Sequence, residues 1–434
     1  MKKVFLFITS SLMLLLTACS SNSDLVSATA NYPKAPASFV KSRNLSGTLK
    51  GTLKQDSTYY LTGNVAVAKG DTLAVQPGAT IIATNNFQFQ VSGTLLSLGT
   101  EAKPVTFTSN ADTRFTDLAT ATSYTGHWGG FVFDSTAVYV FVKYTHINFT
   151  GGHDSSGAAQ ASFDVEGSQT YNGGAFIVVE DSWFYGGVDD GIHLAGNITA
   201  SIKRNVIQRL GGPDGETMNI KKGVKGDIAY NYIWSAANNA IKLETGKVLF
   251  PQTNMNIFNN TIVDGGFRKR GEATNSILID KWTRANIYNN IMVGNHTGIN
   301  ITTAADTTNC HYGNNLIYAP ADSLSTLIYP LGAFSKKRTT DITGSTLALC
   351  NSVFTTWAVP TATLPDLTVE DGNVPSLSSG SPAIGKGITS APFTYFITSA
   401  DGKKGTADVL NKDLGAYPTD NSGNKHLPTR KPAL

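Results

Sequence analysis

The phrase Ile202-Lys203-Arg204-Asn205-Val206-Ile207 returns four times further along the chain. Its later versions are Ile228-Ala229-Tyr230-Asn231-Tyr232-Ile233, Ile257-Phe258-Asn259-Asn260-Thr261-Ile262, Ile287-Tyr288-Asn289-Asn290-Ile291-Met292 and Tyr312-Gly313-Asn314-Asn315-Leu316-Ile317. The aligned asparagine recurs at steps of 26, 29, 30 and 25 residues. A period of this length, built from short apolar runs with no helical pattern between them, indicates a β-solenoid.

Each period contains three strand-like runs: one before the asparagine, one after it, and a third beyond a variable loop. The third runs are Ile192-His193-Leu194, Met218-Asn219-Ile220, Ile241-Lys242-Leu243, Ile277-Leu278-Ile279 and Ile299-Asn300-Ile301. Apolar residues that alternate with outward ones are typical of strands. We predict an all-β fold, a single-stranded right-handed parallel β-helix with three strands per coil and capping segments. The repeated asparagine is predicted to form a structural ladder, since asparagine tolerates the left-handed conformation and bonds locally.

The two ends of the chain lack this period. Lys2 and Lys3 precede an apolar run that is too short to cross a bilayer and that ends at Cys19. An export signal is therefore expected, either of the lipoprotein type or an ordinary secretory one with a chance cysteine. The expected divisions are a lipoprotein signal peptide at 1–18, a lipidated cysteine and flexible tether at 19–43, the β-helix at 44–320, and the last coil or coils with a C-terminal cap at 321–434.

Composition narrows the possible functions. The net charge is only +3 and charged residues make up 15% of the chain. No stripe of Lys and Arg with interleaved aromatics is present, so nucleic acid is not an expected partner. Cys310 and Cys350 follow Cys19 as the remaining cysteines. In an exported protein they form either one disulfide or two buried free thiols, and the sequence favours neither.

Several motifs resemble those of right-handed β-helix lipoproteins of Bacteroidota, within the pectate-lyase-like superfamily. The motifs are Leu16-Thr17-Ala18-Cys19, Val75-Gln76-Pro77-Gly78-Ala79-Thr80-Ile81, Trp128-Gly129-Gly130, Gly187-Val188-Asp189-Asp190-Gly191-Ile192, Ser381-Pro382-Ala383-Ile384 and Asp413-Leu414-Gly415-Ala416-Tyr417. The resemblance implies a lipid on Cys19, attachment to the outer membrane on its periplasmic or extracellular face, and polysaccharide as the partner.

A narrower resemblance concerns Gly215-Glu216-Thr217-Met218-Asn219-Ile220-Lys221, which is similar to a segment of the chondroitinase-B and alginate-lyase family. That resemblance implies that Lys221 is the base that removes the sugar C5 proton and that Glu216 helps to hold calcium. One coil later the family has an Arg-His-Gly phrase whose Arg protonates the leaving oxygen. Glu244-Thr245-Gly246 stands at that place here, and Lys242 is the candidate substitute.

Strand alternation places the outward residues of these third runs in columns. One column is His193, Asn219, Lys242, Leu278 and Asn300, and the next is Ala195, Lys221, Glu244, Asp280 and Thr302. Lys221, Lys242 and Glu244 are the catalytic candidates, because β-elimination needs a base, charge neutralisation and an acid. The alternative is an ordinary cross-strand ion pair between Lys221 and Glu244, which would keep the lysine protonated.

A further column lies two residues before each inward strand and consists of Asp190, Glu216, Asn239 and Asn275. Asp189 adds another carboxylate beside it. Oxygen-rich clusters of this kind suit hard cations, so Asp189, Asp190 and Glu216 are the candidate ligands of Ca²⁺. The alternative is a polar turn held by local side-chain bonds.

Two loops supply candidates for sugar contact. The substrate-binding candidates are His193, Arg268, Arg270, Asp280, Lys281, Trp282 and Arg284. Arginine and lysine match the carboxylates or sulfates of an acidic glycan, and aromatic rings stack on sugars. A basic, solvated loop is the alternative.

From these residues we expect a membrane-anchored lipoprotein that binds or handles polysaccharide on one face of the solenoid without catalysis. The alternative is a calcium-assisted polyuronate lyase that acts by β-elimination with Lys221 as the base. The ultraviolet absorbance of an unsaturated uronate product distinguishes the two.

Overall fold

The computed structural model describes residues 33–110, 128–166, 175–211, 215–246, 251–266, 274–356, 375–396 and 409–428. Within these ranges short strands dominate, with one 3-10 helix at Asp322–Leu327 and one α-helix, α1, at Leu347–Ser352. The strands are β1 Asn44–Thr48, β2 Gly51–Leu53, β3 Thr58–Val67, β4 Thr72–Val75, β5 Thr80–Ala83, β6 Phe89–Val91, β7 Thr94–Leu98, β8 Val105–Ser109, β9 Phe131–Phe133, β10 Tyr139–Lys143, β11 Thr145–Asn148, β12 Phe163–Glu166, β13 Ala175–Glu180, β14 Trp183–Tyr185, β15 Ile192–Ala195, β16 Ile198–Lys203, β17 Val206–Gln208, β18 Met218–Lys221, β19 Lys225–Ala229, β20 Tyr232–Trp234, β21 Ile241–Glu244, β22 Asn254–Phe258, β23 Thr261–Val263, β24 Ile277–Asp280, β25 Arg284–Tyr288, β26 Ile291–Val293, β27 Ile299–Ile301, β28 His311–Gly313, β29 Leu316–Tyr318 and β30 Ile342–Gly344.

The strands stack in three parallel rows. The first sheet runs β2-β4-β7-β10-β13-β16-β19-β22-β25-β28. The second sheet contains β5, β8, β11, β14, β17, β20, β23, β26, β29 and β30, and the third contains β6, β9, β12, β15, β18, β21, β24 and β27. The long strand β3 pairs with both β5 and β6 and so joins these two sheets at one end. This is a parallel β-solenoid of about 10 turns, and the predicted all-β fold is confirmed.

The inward residues of the third sheet fill the core as predicted. Ile192, Leu194, Met218, Ile220 and Ile241 are all fully buried, and the same holds for Leu243, Ile277 and Ile279. They belong to one apolar cluster that runs from Leu45 to Ile328 through the interior of the solenoid. Each coil alone would leave this surface in water, so burial between neighbouring coils stabilises the stack.

The repeated asparagine forms the predicted ladder. The side-chain amide of Asn231 donates to Oδ1 of Asn260 at 2.9 Å, and the backbone N–H of Asn231 donates to the same oxygen at 3.0 Å. Equivalent bonds join Asn205, Asn290 and Asn315 to their neighbours in the adjoining coils. The residue before each of these asparagines has a positive φ, and that left-handed turn directs the chain into the second sheet.

The C-terminal residues 375–396 and 409–428 lie along the sides of the solenoid. Leu414, Ala416 and Tyr417 pack with α1 on the apolar outer surface of the second sheet. Phe393 and Tyr395 pack on the outer surface of the first sheet, beside Phe258. Within the segment predicted to form the last coil and cap, β30 pairs with β29 and extends the second sheet.

The side-chain amides of the first asparagines in the repeated phrase hold this C-terminal segment. Asn259 donates to the carbonyl oxygen of Asp413 at 2.8 Å, and Asn289 donates to those of Ile388 and Asn411 at 2.8 and 2.9 Å. The two adjacent asparagines therefore serve different purposes, one binding the next coil and the other binding the covering segment.

Cys310 and Cys350 are free and buried. Cys310 lies inside the solenoid, whereas Cys350 lies on α1 outside the second sheet. Burial raises the pKa of the Cys310 thiol to about 11 and that of Cys350 to about 12. The structure therefore shows the second of the two alternatives left open by the sequence.

The export signal and Cys19 lie outside the described residues, so lipidation stays a prediction. Residues 36–40, within the segment predicted to be a tether, bond to β2: the Thr52 N–H donates to the Ser38 carbonyl at 2.8 Å. Among the described residues, no helix has the length and apolar character needed to cross a membrane.

Candidate functional site

The outward residues of the third sheet form two columns with the predicted register. His193 pairs with Asn219, Asn219 with Lys242, and the column continues to Leu278 and Asn300. In the neighbouring column Lys221 pairs with Glu244, and Glu244 with Asp280. We call this surface the candidate face and define it by Asp164, His193, Asn219, Lys221, Lys242, Glu244, Leu278, Asp280, Asn300 and Thr302.

In the described part of the chain, the C-terminal segment lies against the other two sheets of the solenoid rather than against the candidate face. Residues 375–396 and 409–428 bond to the turns and pack on the outer surfaces of the first and second sheets. Between these described residues and the candidate face, the structure shows no hydrogen bond or ion pair. Among the described residues, the C-terminal segment therefore packs on the first and second sheets and not on the polar groups of the candidate face.

Asp164 is a residue of this face that the sequence reasoning missed. Its Oδ1 lies 2.7 Å from Nδ1 of His193 on the next strand. Burial of the imidazole lowers its pKa, but the hydrogen bond with Asp164 and the negative charges of Asp164 and Asp190 outweigh burial, so the pKa of His193 is raised. The alternation Phe163-Asp164-Val165 was the available signal, because it matches Ile192-His193-Leu194.

Next to this pair, Lys242 is bound to a carboxylate. Its Nζ lies 2.9 Å from Oε1 of Glu216. Burial lowers the pKa of Lys242, but the charge of Glu216 and their hydrogen bond outweigh it, and the pKa is raised. An ammonium group held in this way keeps its proton at neutral pH, which suits a binding charge or a proton donor and opposes a role as base.

Glu216 also adjoins Asp190, as the predicted column required. The Glu216 N–H donates to Oδ1 of Asp190 at 2.7 Å, and Nδ2 of Asn219 donates to Oδ2 at 2.7 Å. Burial and the negative charge of Glu216 raise the pKa of Asp190. Burial opposes ionisation of Glu216, but its bond with Asp190 and the charge of Lys242 lower its pKa. One proton is thus retained between the two carboxyl groups.

The groups that contact the carboxyl oxygens of Asp190 and Glu216 bear on the predicted calcium site. Amide and backbone N–H donors contact both oxygens of Asp190, and an ammonium group contacts Glu216. Among the described residues, no group of three or more His, Cys, Asp or Glu side chains has a metal-binding arrangement. The contacts shown are those that neutralise the carboxyl groups without a metal, and calcium at Asp189, Asp190 and Glu216 stays a prediction.

Lys221 and Glu244 have the predicted register, but the ion pair between them, which was the alternative to a catalytic role, does not form in the described structure. Oε2 of Glu244 accepts a hydrogen bond from Nζ of Lys281 at 2.8 Å instead. Lys281 begins the turn after the neighbouring strand β24, and its left-handed backbone brings the ammonium back over Glu244. Within the described residues, the half-buried Lys221 has no carboxylate partner.

Two buried polar atoms on this face have no hydrogen-bond partner in the described structure. They are Nε2 of His193 and Oδ1 of Asn219. The orientation of the Asn219 amide is determined, because its nitrogen donates to Asp190 and to Glu216. Unpaired buried polar groups are costly, and they concentrate where a ligand completes the bonding.

The loop candidates divide into two groups. Lys281, Trp282 and Arg284 lie at the turn from β24 into β25, and Nε of Arg284 is 3.2 Å from Oδ2 of Asp306. Lys281 and Trp282 have φ values of 45° and 61°, so two consecutive non-glycine residues adopt the unfavourable left-handed conformation. Asp280 accepts a hydrogen bond from Oγ1 of Thr302 at 2.6 Å.

Arg268 and Arg270, the other loop candidates, lie outside the described residues. Their predicted contact with a sugar therefore stays a prediction.

Comparison with known proteins agrees with this architecture. A family model described as a pectate-lyase like beta helix domain matches residues 46–140. No curated protein matches the chain. The match and the parallel solenoid support the pectate-lyase-like superfamily and, with it, a function related to polysaccharides. The likenesses to Bacteroidota lipoproteins and to chondroitinase B stay predictions.

Proposed function

We propose that the candidate face binds a polysaccharide chain without cleaving it, from a protein anchored to the outer membrane by a lipid on Cys19. The observation that carries the proposal is the candidate face itself, where Lys221 has no carboxylate partner among the described residues and lies beside the charged pair Asp164–His193. An extended sugar chain fits a long solenoid face whose coils repeat about every 4.8 Å.

The polar groups on this face favour a glycan with acidic substituents. Lys221 provides a positive charge that no carboxylate balances among the described residues, whereas Asp164 balances a protonated His193, and Oδ1 of Asn219 is an acceptor for a hydroxyl group. A sugar acid carries both an anionic acceptor and hydroxyl donors, so it satisfies both kinds of group. The pair Lys242–Glu216 contributes little net charge and positions Asn219 through Glu216.

The test is electrophoretic retention of the protein in gels that contain neutral, carboxylated or sulfated polysaccharides. We expect retention by an acidic glycan, weakened severalfold in Lys221→Gln and in His193→Gln. Lys225→Gln is the matched control, because Lys225 is an exposed lysine that begins β19, on the first sheet. Absence of retention on every polysaccharide, or equal loss in the control, contradicts glycan binding by this face.

A second candidate, a polyuronate lyase with Lys221 as base, is favoured by the lack of a carboxylate partner for that lysine. His193 would then neutralise the uronate carboxylate, and Lys242 would be the proton donor. Glu244 bonds to Lys281 and stands where the resemblance requires an arginine. Incubation with polyuronates, with and without a calcium chelator, tests this candidate by ultraviolet absorbance. Product formation that is lost in Lys221→Gln contradicts the non-catalytic proposal, and activity lost with chelator supports the calcium prediction.

A further inference from the structure

The first residues of the solenoid, as far as the end of β2, carry several positive charges, and the first acidic residue of the solenoid, Asp56, follows in the next turn and pairs with Lys103. Residues 33–55 contain Lys34, Lys41, Arg43, Lys50 and Lys54 and no Asp or Glu, whereas the whole chain has a net charge of +3. All five side chains are exposed. We call these residues, together with Phe39, the N-terminal end surface.

This surface lies at the end of the solenoid where the described part of the chain begins. The strand β2 pairs only with β4 among the described strands, and residues 36–40 form one further layer on its free side. The Val40 N–H donates to the Thr52 carbonyl at 3.0 Å, and Oγ1 of Thr52 donates to the Pro36 carbonyl at 2.6 Å. Phe39 is therefore held in the outermost layer, where it is 53% exposed.

Most of the positive charge on this surface is not neutralised by the protein. Lys34, Lys41 and Lys54 have no carboxylate partner in the described structure. Arg43 donates to the Thr58 carbonyl at 3.3 Å and lies over the Tyr59 ring. Within the described residues, Lys50 alone of this surface has an ion pair, with Asp71 at 3.2 Å and at an exposed position.

Exposed aromatic residues occur at the same end. Of the large apolar side chains exposed in the described residues, only Phe39 and Tyr60 are aromatic, and Tyr60 is 43% exposed. Aromatic rings beside lysines and arginines are typical of protein surfaces at the boundary between water and lipid headgroups.

We propose that the N-terminal end surface lies against a lipid bilayer with anionic headgroups, so that the solenoid stands on the membrane by its first coil. The charge is complementary, and only residues 20–32 separate this surface from the predicted lipidation site at Cys19. A single acyl chain gives reversible attachment, and a polybasic patch is the second signal that makes it stable. Several coils separate the candidate face from this end, so a glycan and the membrane can be bound together.

The experiment uses the mature-length chain with Cys19→Ser, which carries no lipid, and sedimentation with vesicles of phosphatidylglycerol and phosphatidylcholine. We expect binding to these vesicles, little binding to phosphatidylcholine alone, and loss of binding when salt rises from about 0.01 to about 1 M. The triple variant Lys34→Gln, Lys41→Gln, Arg43→Gln should bind on the order of a hundredfold more weakly. Phe39→Ser should weaken binding while the dependence on salt is unchanged.

The matched control is Lys336→Gln, Lys337→Gln, Arg338→Gln, which removes three exposed cations after the 3-10 helix, beyond the last coils of the solenoid. Equal weakening in this control would show that net charge alone attracts the protein, and the proposal would be overturned. Unchanged vesicle binding by the first triple variant would also overturn the proposal. It would be overturned as well if these residues bound a soluble polyuronate and did not bind vesicles. Thermal unfolding verifies that each variant is folded. Variants of Lys221 and His193 should bind vesicles as the native protein does. The vesicle experiment therefore tests membrane binding separately from glycan binding by the candidate face.

Discussion

Oδ1 of Asp164 lies 2.7 Å from Nδ1 of His193 across two neighbouring strands of the third sheet. The carboxylate holds the imidazole in one orientation and leaves Nε2 as the atom available to a ligand. Of the described residues, Lys221 adds a second positive charge nearby, and this charge opposes protonation of His193. A pair of donors on the candidate face is the arrangement expected of a site for anionic sugars.

Asp164→Asn is expected to lower the pKa of His193, because the hydrogen bond and negative charge that raise it are removed while burial remains. In the native protein this pair contributes stability below the unfolded pKa of about 6.5, and the contribution is lost as the pH rises through the higher folded pKa. Titration of the imidazole signals by NMR measures the change. An unchanged His193 titration would show that Asp164 does not determine its protonation.

The carboxyl group of Asp264 is buried in the apolar outer surface of the second sheet, and its ionisation should affect the stability of the protein. The side chain is buried beside Cys350, Nε1 of Trp234 donates to its Oδ2 at 3.3 Å, and its Oδ1 has no partner in the described structure. Burial raises the pKa of Asp264 to about 8. The protonated acid makes its full contribution to the free energy of unfolding below about pH 3.8, the unfolded pKa. That contribution is lost as the pH rises through the folded pKa of about 8.

Asp264→Asn should therefore unfold with a free energy similar to that of the native protein in acid and higher above about pH 8, by a few kcal/mol. Urea unfolding across this pH range measures the difference. If the difference in free energy of unfolding between the variant and the native protein does not vary with pH, the raised pKa of Asp264 is contradicted.

Interrupting the asparagine ladder should lower the free energy of unfolding. Asn260 accepts from Asn231 and donates to Ile228 and to Asn290, all inside the stack. Asn260→Ala leaves these groups unpaired and should lower the free energy of unfolding by about 2–4 kcal/mol. Asn300→Ala, on the half-buried candidate face, is the control and should change it by less than about 0.5 kcal/mol. Chemical denaturation compares the two, and equal effects would show that the ladder contributes no special stability.

The two lysine–carboxylate pairs should differ in strength. Lys242→Met leaves Glu216 beside Asp190 without a counter-charge, and we expect a loss of about 2 kcal/mol, which is reduced by partial exposure. Lys281→Met breaks the more exposed pair with Glu244 and should cost less than about 1 kcal/mol. Thermal or urea unfolding of both variants ranks them, and the reverse order would contradict the assignment.

Register was predictable from the sequence, and individual contacts were not. Alternating apolar residues determine which side chains face outward, and the repeated asparagine aligns one coil with the next. Lys221 was therefore placed correctly beside Glu244. The carboxylate is nevertheless bound by Lys281, because the turn conformation and the length of the side chain determine which nearby ammonium group contacts it. Asp164 was missed because its strand precedes the recognisable repeats.

The sequence by itself determined the solenoid, its inward residues and the face where chemistry could occur, because each follows from a local pattern that repeats. The tertiary structure alone decided on which sheets the described C-terminal residues pack. His426 binds Asp181 at 3.0 Å across 245 residues of chain, and Asn259 and Asn289 hold the segment that precedes it. Contacts of this kind arise between segments that share no period, so they depend on the complete folded surface rather than on any local pattern.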